Sequence, residues 1–409
     1  MLPPFDMENS PELSPNRSAT TGTGSRRLMT ALVGLVVFLF WMALYLYVPT
    51  LPTYVQARSE NLALVGIVLA QYGLWQAVVR LPLGIVADWV GWRKPFIVVG
   101  LGLAGLGALI LGLAQGVGGL LVGRAVTGLA AATWVPLVVV FSGLFPPHEA
   151  VRASALLTFI GSIGRVLATA ATGSLNQLGG YRLTFLLAAG AAALAMLVVL
   201  PARENRRPPR RPSLGSIGRL ITRRDVLLPA LLAAVSQYAN WTASLSFTPI
   251  LSRQLGATDT TQSALVSMHM GVVTLGNLLA TVVVGRLGAR RLAVLSFVLM
   301  SIGLGGAALA PALPFLFVSQ FLMGLSQGGS YPVLMGMSIE HVAEAERTTA
   351  MGLHQSVYAI GMFTGPWLSG VLADAMGIQP MFGVTAAACL VVGLVAPRWL
   401  VGGVGSNKE

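Results

Sequence analysis

Acid is scarce in this chain of 409 residues: 14 Asp and Glu stand against 26 Lys and Arg. Charge of either sign makes up only 10% of the residues, whereas a soluble domain carries about a quarter. An ordinary soluble enzyme is thereby excluded. Cysteine occurs once, as Cys389 in an apolar run, which leaves neither a disulfide framework nor a cysteine metal site. No His-Glu-x-x-His, phosphate-loop lysine or pair of catalytic carboxylates occurs, so ATP-driven transport and intramembrane hydrolysis lack their parts. Gly100-x-Gly102-x-x-Gly105 and Gly324-x-Ser326-x-Gly328 imitate a dinucleotide fingerprint and a nucleophile elbow, but both lie inside apolar helices. No cofactor and no metal is expected. Residues 1–27 lack the apolar core of a signal peptide; rich in Pro, Ser and Thr, they read as a disordered cytoplasmic arm.

Long apolar runs are what the chain has. Hydrophobic residues reach 55% and mean hydropathy is +0.76. Twelve windows of about 20 apolar residues, each long enough to cross a bilayer as a helix, fall at roughly 28–55, 62–84, 95–115, 118–142, 153–175, 182–201, 226–250, 262–284, 292–311, 315–338, 349–373 and 380–400. The fold class is an all-α membrane protein. The longest break, 202–225, carries eight arginines and three prolines and reads as a flexible cytoplasmic linker between six-helix bundles at 28–201 and 226–400, with a tail at 401–409. With both termini cytoplasmic, 20 of the 26 cations fall on the inside, as positive-inside topology requires. The net charge of +12 is therefore a topology signal and a contact for the lipid bilayer, and no nucleic-acid partner is expected.

The halves repeat each other at an offset near 197 residues. Gly91-Trp-Arg93-Lys94 overlays Gly288-Ala-Arg290-Arg291; Gly164, Gly173 and Gly180 overlay Gly361, Gly370 and Gly377; Pro52 meets Pro249 and Phe185 meets Phe382. Duplicated six-helix halves are the architecture of alternating-access transporters, in which substrate sits near the midplane between rocking halves.

The whole chain resembles the major facilitator superfamily. The turn after span 2 carries that family's signature as Gly84, Asp88, Gly91, Arg93 and Lys94, and Arg124-x-x-x-Gly128 resembles its helix-4 motif of proton-coupled members. The resemblance implies two pseudo-symmetric six-helix bundles in a bacterial inner membrane, acting as a monomer. It also implies a cytoplasmic gate. Gly84 and Asp88 lie one helical turn apart on one face, and the resemblance names helix 11 as the partner whose positive end the carboxylate would stabilise. That helix would start at Arg347-Thr348-Thr349, with Thr349 as N-cap. Arg80 shares the face of Gly84 and is assigned to the gate. The second copy has Gly285 in place of the aspartate, so the latch is one-sided.

Ionisable residues inside a membrane are functional candidates because burying them is costly. No acid lies deep in a span, whereas Arg124 and Arg165 do, and both are assigned to a substrate cavity. Arg165 in particular suits a carboxylate or phosphate of the substrate, its alternative being a structural arginine bonded to helix carbonyls. Tyr45, Tyr72, Trp75, Gln237, Asn240, Trp241, Gln327 and Tyr331 supply an aromatic and amide wall suited to an amphiphilic ligand, or else ordinary bundle packing. His269, His354 and Asp88 are the titratable candidates for coupling to protons. The expectation is a proton-coupled exporter of a small amphiphilic or anionic organic compound, a drug or metabolite such as a siderophore-like metallophore. The alternatives are an importer of an organic anion and a non-transporting membrane sensor or scaffold.

Overall fold

The structure is a computed structural model that describes residues 23–202, 204 and 214–400. Residues 1–22 of the stretch read as a cytoplasmic arm, and the tail from 401, lie outside the described residues. Among those described there is no strand. This is what hydrocarbon imposes, since only a helix satisfies its own backbone where no water can.

Among the described residues, twelve crossings follow in order. α1 is Thr23–Tyr45, extended by a turn at Val48–Thr50 and by Leu51–Gln56. α2 is Leu62–Val90, α3 Lys94–Leu113, and α4 Val117–Ala132 with Trp134–Ser142. Ala150–Val199 holds two crossings, α5 and α6, separated by non-helical backbone at Gly179 and Gly180. α7 comprises Arg224–Thr242, a π-helical stretch Ala243–Phe247 and Thr248–Gln254. α8 is Asp259–Leu287, α9 Ala289–Ala308, α10 Leu313–Glu340, α11 Arg347–Met376 and α12 Ile378–Val395. Among the described residues, eight helical segments are apolar enough to cross a membrane by length and composition alone, one of them being the segment that holds α5 and α6. The crossings that fall short are α7, α10 and α11. Each buries polar side chains between helices, among them Gln237, Asn240, Gln327 and His354.

Two boundaries differ from the expectation. α1 begins inside the stretch read as the arm, at Thr23. The linker also contains a helix, Leu214–Thr222, whose Leu220 is fully buried with Val226, Val342, Ala350 and Leu353 of the second half. Arg and Pro dominate the linker's composition and conceal four apolar residues at helical spacing, Leu214, Ile217, Leu220 and Ile221.

The repeat is visible in the backbone. Gly91 and Gly288, between α2–α3 and α8–α9, both take positive φ (67° and 80°), as do Gly180 and Gly377 (67° and 92°). The turns need glycine because a Cβ disfavours that region. α1 and α7 are both broken just before the matched Pro52 and Pro249. Phe185 and Phe382 are both fully buried. The face where α6 meets the linker is called here the linker face, and its opposite the far face.

Candidate functional site: a central cavity between two unequal faces

On the far face the halves are clasped backbone to backbone. A Cβ on Gly173 of α5 would meet Asp259 and Thr260 of α8, and one on Gly370 of α11 would meet Leu62 and Gly66 of α2. The offset of the repeat relates these two contacts. Polar bonds cross at both. Leu62 N–H, at the start of α2, donates to Asp374 at 2.9 Å. Asn176 donates to Asp259 at 2.8 Å, and Thr53 to Gln262 at 3.2 Å. Each acid sits where it can complement polar N–H groups, Asp374 at a helix N-terminus.

At mid-depth Tyr72 of α2 stacks on Trp241 of α7, with ring centroids 5.2 Å apart. Below this pair lies a cavity of about 100 Å³. It is lined by Tyr45, Tyr72, Arg165, Gln237, Asn240, Trp241, His269 and Gln327 from the predicted set. Trp41, Gln76, Arg80 and Tyr358 join them, and no carboxylate is among its lining residues. Tyr72, Gln76 and Arg80 follow one another at every fourth residue of α2. Gln76 donates to the Tyr72 carbonyl at 3.2 Å, and Arg80 donates to Gln76 Oε1 at 2.6 Å. Arg165 donates to the Gly161 carbonyl (3.3 Å) and to Ser162 Oγ (3.2 Å), with its guanidinium 4.8 Å from the Trp41 ring centre. Both sequence readings of Arg165 thus have a physical basis. Part of its donor fork is tied to the helix, and the side chain still lines the cavity.

His269 is fully buried. Its Nε2 lies 3.0 Å from Asn240 Oδ1, and its Nδ1 lies 3.2 Å from the Gln320 carbonyl and 3.4 Å from Ser244 Oγ. A neutral imidazole donates from one nitrogen only, whereas the protonated ring donates from both. His354 is equally buried but lies away from this cavity, bonded to Ser338 at 2.7 Å.

Arg124, Trp75 and Tyr331 do not line the cavity. Gly128 brings α4 against the backbone of Tyr72, where a Cβ would come within 2.9 Å of its carbonyl oxygen. Arg124, one turn away on that face, is therefore buried under the Tyr72 ring, 4.3 Å from its centre. Its Nε and Nη1 have no hydrogen-bond partner among the described residues. Tyr331 packs on Tyr358, which does line the cavity.

On the linker face the helices diverge. A cleft of about 240 Å³ separates Arg80, Gly84 and Asp88 of α2 from Thr349 and Gly352 of α11. Asp88 pairs with Arg93 of its own half. Lys94 donates to the Ala202 carbonyl, and Glu204 accepts from the backbone N–H of Arg93 and Lys94 at 2.9 and 2.7 Å. The signature turn is thus braced by its own half and by the start of the linker. Thr349 is not the N-cap of α11. A 3-10 turn at Glu344–Glu346 starts the helix earlier, with Glu346 at that position and Thr349 inside the first turn. Among the described residues, the identified hydrogen bonds and ion pairs between halves all lie toward the far face.

The family model described as the Major Facilitator Superfamily matches twice, over residues 33–234 and 230–408. The inner membrane transport protein YajR of Escherichia coli K12 is 40% identical over 111 residues, 26% of this chain and 24% of that protein. The multidrug resistance protein MdtG of Escherichia coli O17:K52:H18 is 24% identical over 391 residues, 92% of this chain and 95% of that one. A bacterial homologue of the human lysosomal transporter Spinster, solved in an inward-facing and unoccupied conformation, superposes with TM-score 0.73 at 16% identity. That match covers 91% of this chain and 97% of the other.

Proposed function

The chain belongs to the major facilitator superfamily, a family of carriers and not of enzymes, and we propose that it is a proton-coupled exporter of a small amphiphilic organic anion. The observation that carries this reading is the central cavity, walled by aromatic rings, holding Arg80 and Arg165 and lined by no acid. A cavity of one sign in a low-dielectric surround concentrates ligands of the other. The arginines can hold a carboxylate or phosphate with two parallel bonds, while Trp41, Tyr72 and Trp241 take an apolar body. The similarity to MdtG over nearly the whole chain supports export.

The cation distribution supports a cytoplasmic location for both termini and the linker, and similarity to Escherichia coli inner membrane transporters favours a bacterial inner membrane. In that orientation the conformation described is closed outward and open inward. A monomer suffices, since both halves come from one chain. Asp88 would leave Arg93 for the start of α11 as the cytoplasmic side closes. Of the coupling candidates, His269 is favoured because it alone joins the cavity to a hydrogen-bonded pair, Asn240 and Gln320, that distinguishes its two protonation states. Asp88 lies in the gate and His354 outside the cavity.

The test is flux in everted vesicles under an imposed pH gradient, with a panel of amphiphilic anions. Gradient-driven accumulation that collapses with a protonophore is expected. Arg165→Ala, expressed normally, should abolish it. Absence of gradient-dependent flux for the whole panel overturns the reading, and undiminished flux in Arg165→Ala removes that residue from the site.

A further inference from the structure

A second cavity lies outside this pathway. α1 and α5 are in tight contact at mid-depth, where a Cβ on Gly164 would come within 2.9 Å of the Phe38 carbonyl oxygen. Toward the linker face, where Gly34 still packs close to Ile160, a groove of about 690 Å³ runs along the two helices. Its two ends differ in chemistry. At the linker-face end stand Arg26, Arg27 and Arg152, with Glu149 as the only acid among its lining residues. Arg26 bonds Glu149 at 2.9 Å, and Arg152 lies 3.6 Å from the same carboxylate oxygen. One acid thus answers three cations, and Arg27 and Arg152 are exposed. The other end is apolar, floored by Leu35, Phe38, Leu156 and Ile160. Leu35 is 43% exposed at a depth where the surrounding medium is hydrocarbon.

The dimensions and the charge specify an occupant. From Arg27 to Phe38 a helix rises about 16 Å, close to the roughly 15 Å depth of one leaflet's hydrocarbon. The cations stand just before the apolar run, at headgroup level, where Lys and Arg attract anionic lipid. We propose that this groove seats one anionic phospholipid of the linker-side leaflet, its phosphate on Arg27 and Arg152 and one acyl chain against Leu35, Phe38 and Ile160. Phe38 is one turn from Trp41 on the same face of α1, so the chain end abuts the wall of the central cavity. The lipid fills the groove along α1 and α5 on the linker face.

The test uses the full chain in phosphatidylcholine nanodiscs with a trace of phosphatidylglycerol carrying a diazirine on one acyl chain. After irradiation, label is expected on peptides covering residues 28–40 and 152–163, displaced by unlabelled phosphatidylglycerol and not by phosphatidylcholine. Arg27→Ala with Arg152→Ala should cut labelling there about 30-fold, about fivefold for each arginine, and lysine at both positions should restore much of it. Glu149→Gln, which removes the competing acid, should raise labelling, and this variant decides the matter if the double variant does not fold. Label spread evenly over other spans, equal competition by phosphatidylcholine, or unchanged labelling in the arginine or Glu149→Gln variants overturns the proposal. Displacement by inorganic phosphate would make the groove a free-anion site and overturns the lipid assignment. None of these outcomes depends on flux, so the site stands or falls apart from the transport reading.

Discussion

α2 and α11 run side by side from one face of the molecule to the other, and they behave oppositely at the two ends. At the far face Gly66 and Gly370 bring the backbones into contact, and Asp374 accepts from the first N–H of α2. At the linker face the same helices carry another glycine pair, Gly84 and Gly352, that touches almost nothing. A Cβ on Gly84 would meet only Val135 of its own half, at 3.8 Å, and one on Gly352 only the tip of Leu81, also at 3.8 Å. A glycine weakens a helix by about 1 kcal/mol relative to alanine, so glycine that no neighbour requires in one conformation points to a contact made in another. The far-face pair is in use here. On the reading proposed above, the linker-face pair would serve the state in which that face shuts and Asp88 exchanges Arg93 for α11.

The largest effects should come from breaking that asymmetry at the backbone. Gly66→Leu drives a side chain into the Pro366 carbonyl, and overpacking of this kind costs about 1–3 kcal/mol or more. The far face should fail to close, flux should fall to background, and thiol labelling of a cysteine at Thr53 from the far side should rise. Gly84→Leu is the mirror experiment. Melting in the conformation described should hardly change, because space is available, while flux falls about tenfold for an obstruction of about 1.4 kcal/mol to linker-face closure. Equal melting losses in both variants would remove the distinction drawn between the two faces.

A smaller effect separates charge from shape. Asp374→Asn keeps an acceptor for the Leu62 N–H but removes the negative charge from a helix N-terminus, worth about 0.3–1 kcal/mol. Far-face opening should therefore increase about two- to fivefold, read as the same labelling rate, with no loss of folded protein. No change would mean that the backbone contact alone keeps that face closed.

Much of this arrangement was legible in the sequence because it is periodic or repeated. The twelve runs, the matched glycines and the Gly84–Asp88 turn all depend on local spacing. Rotation about a helix axis is harder to read. Arg124 lies at cavity depth, but Gly128 seats its face of α4 against Tyr72, and the guanidinium ends up buried beside the cavity. Gln76 was missed although it continues the stripe of Tyr72 and Arg80. Asp259 and Asp374 carry no local sign of bridging the halves, yet the overlay of Gly173 with Gly370 marks both seams where they stand. Thr349 was misplaced because a 3-10 turn begins α11 earlier.

The smallest effect tests whether linker-face ion pairs belong to the gate at all. Arg223 donates twice to Asp225, just before α7 enters the membrane, at 3.1 and 2.6 Å, and this bonding holds the Asp225 carboxyl below its ordinary range. A lowered folded-state pKa adds stability at pH values above the ordinary carboxylate range, and that increment is lost as pH falls through the folded value. The pair is partly exposed, so the increment is about 0.5 kcal/mol or less. Asp225→Asn should lower the melting midpoint slightly at pH 7, and the difference from the parent should shrink on acidification below the ordinary carboxylate range. Far-face labelling should stay constant throughout, because both partners, like Arg219 and Glu346 beside them, lie on the same side of the seam. A change in labelling would instead make the linker's anchorage part of the gate.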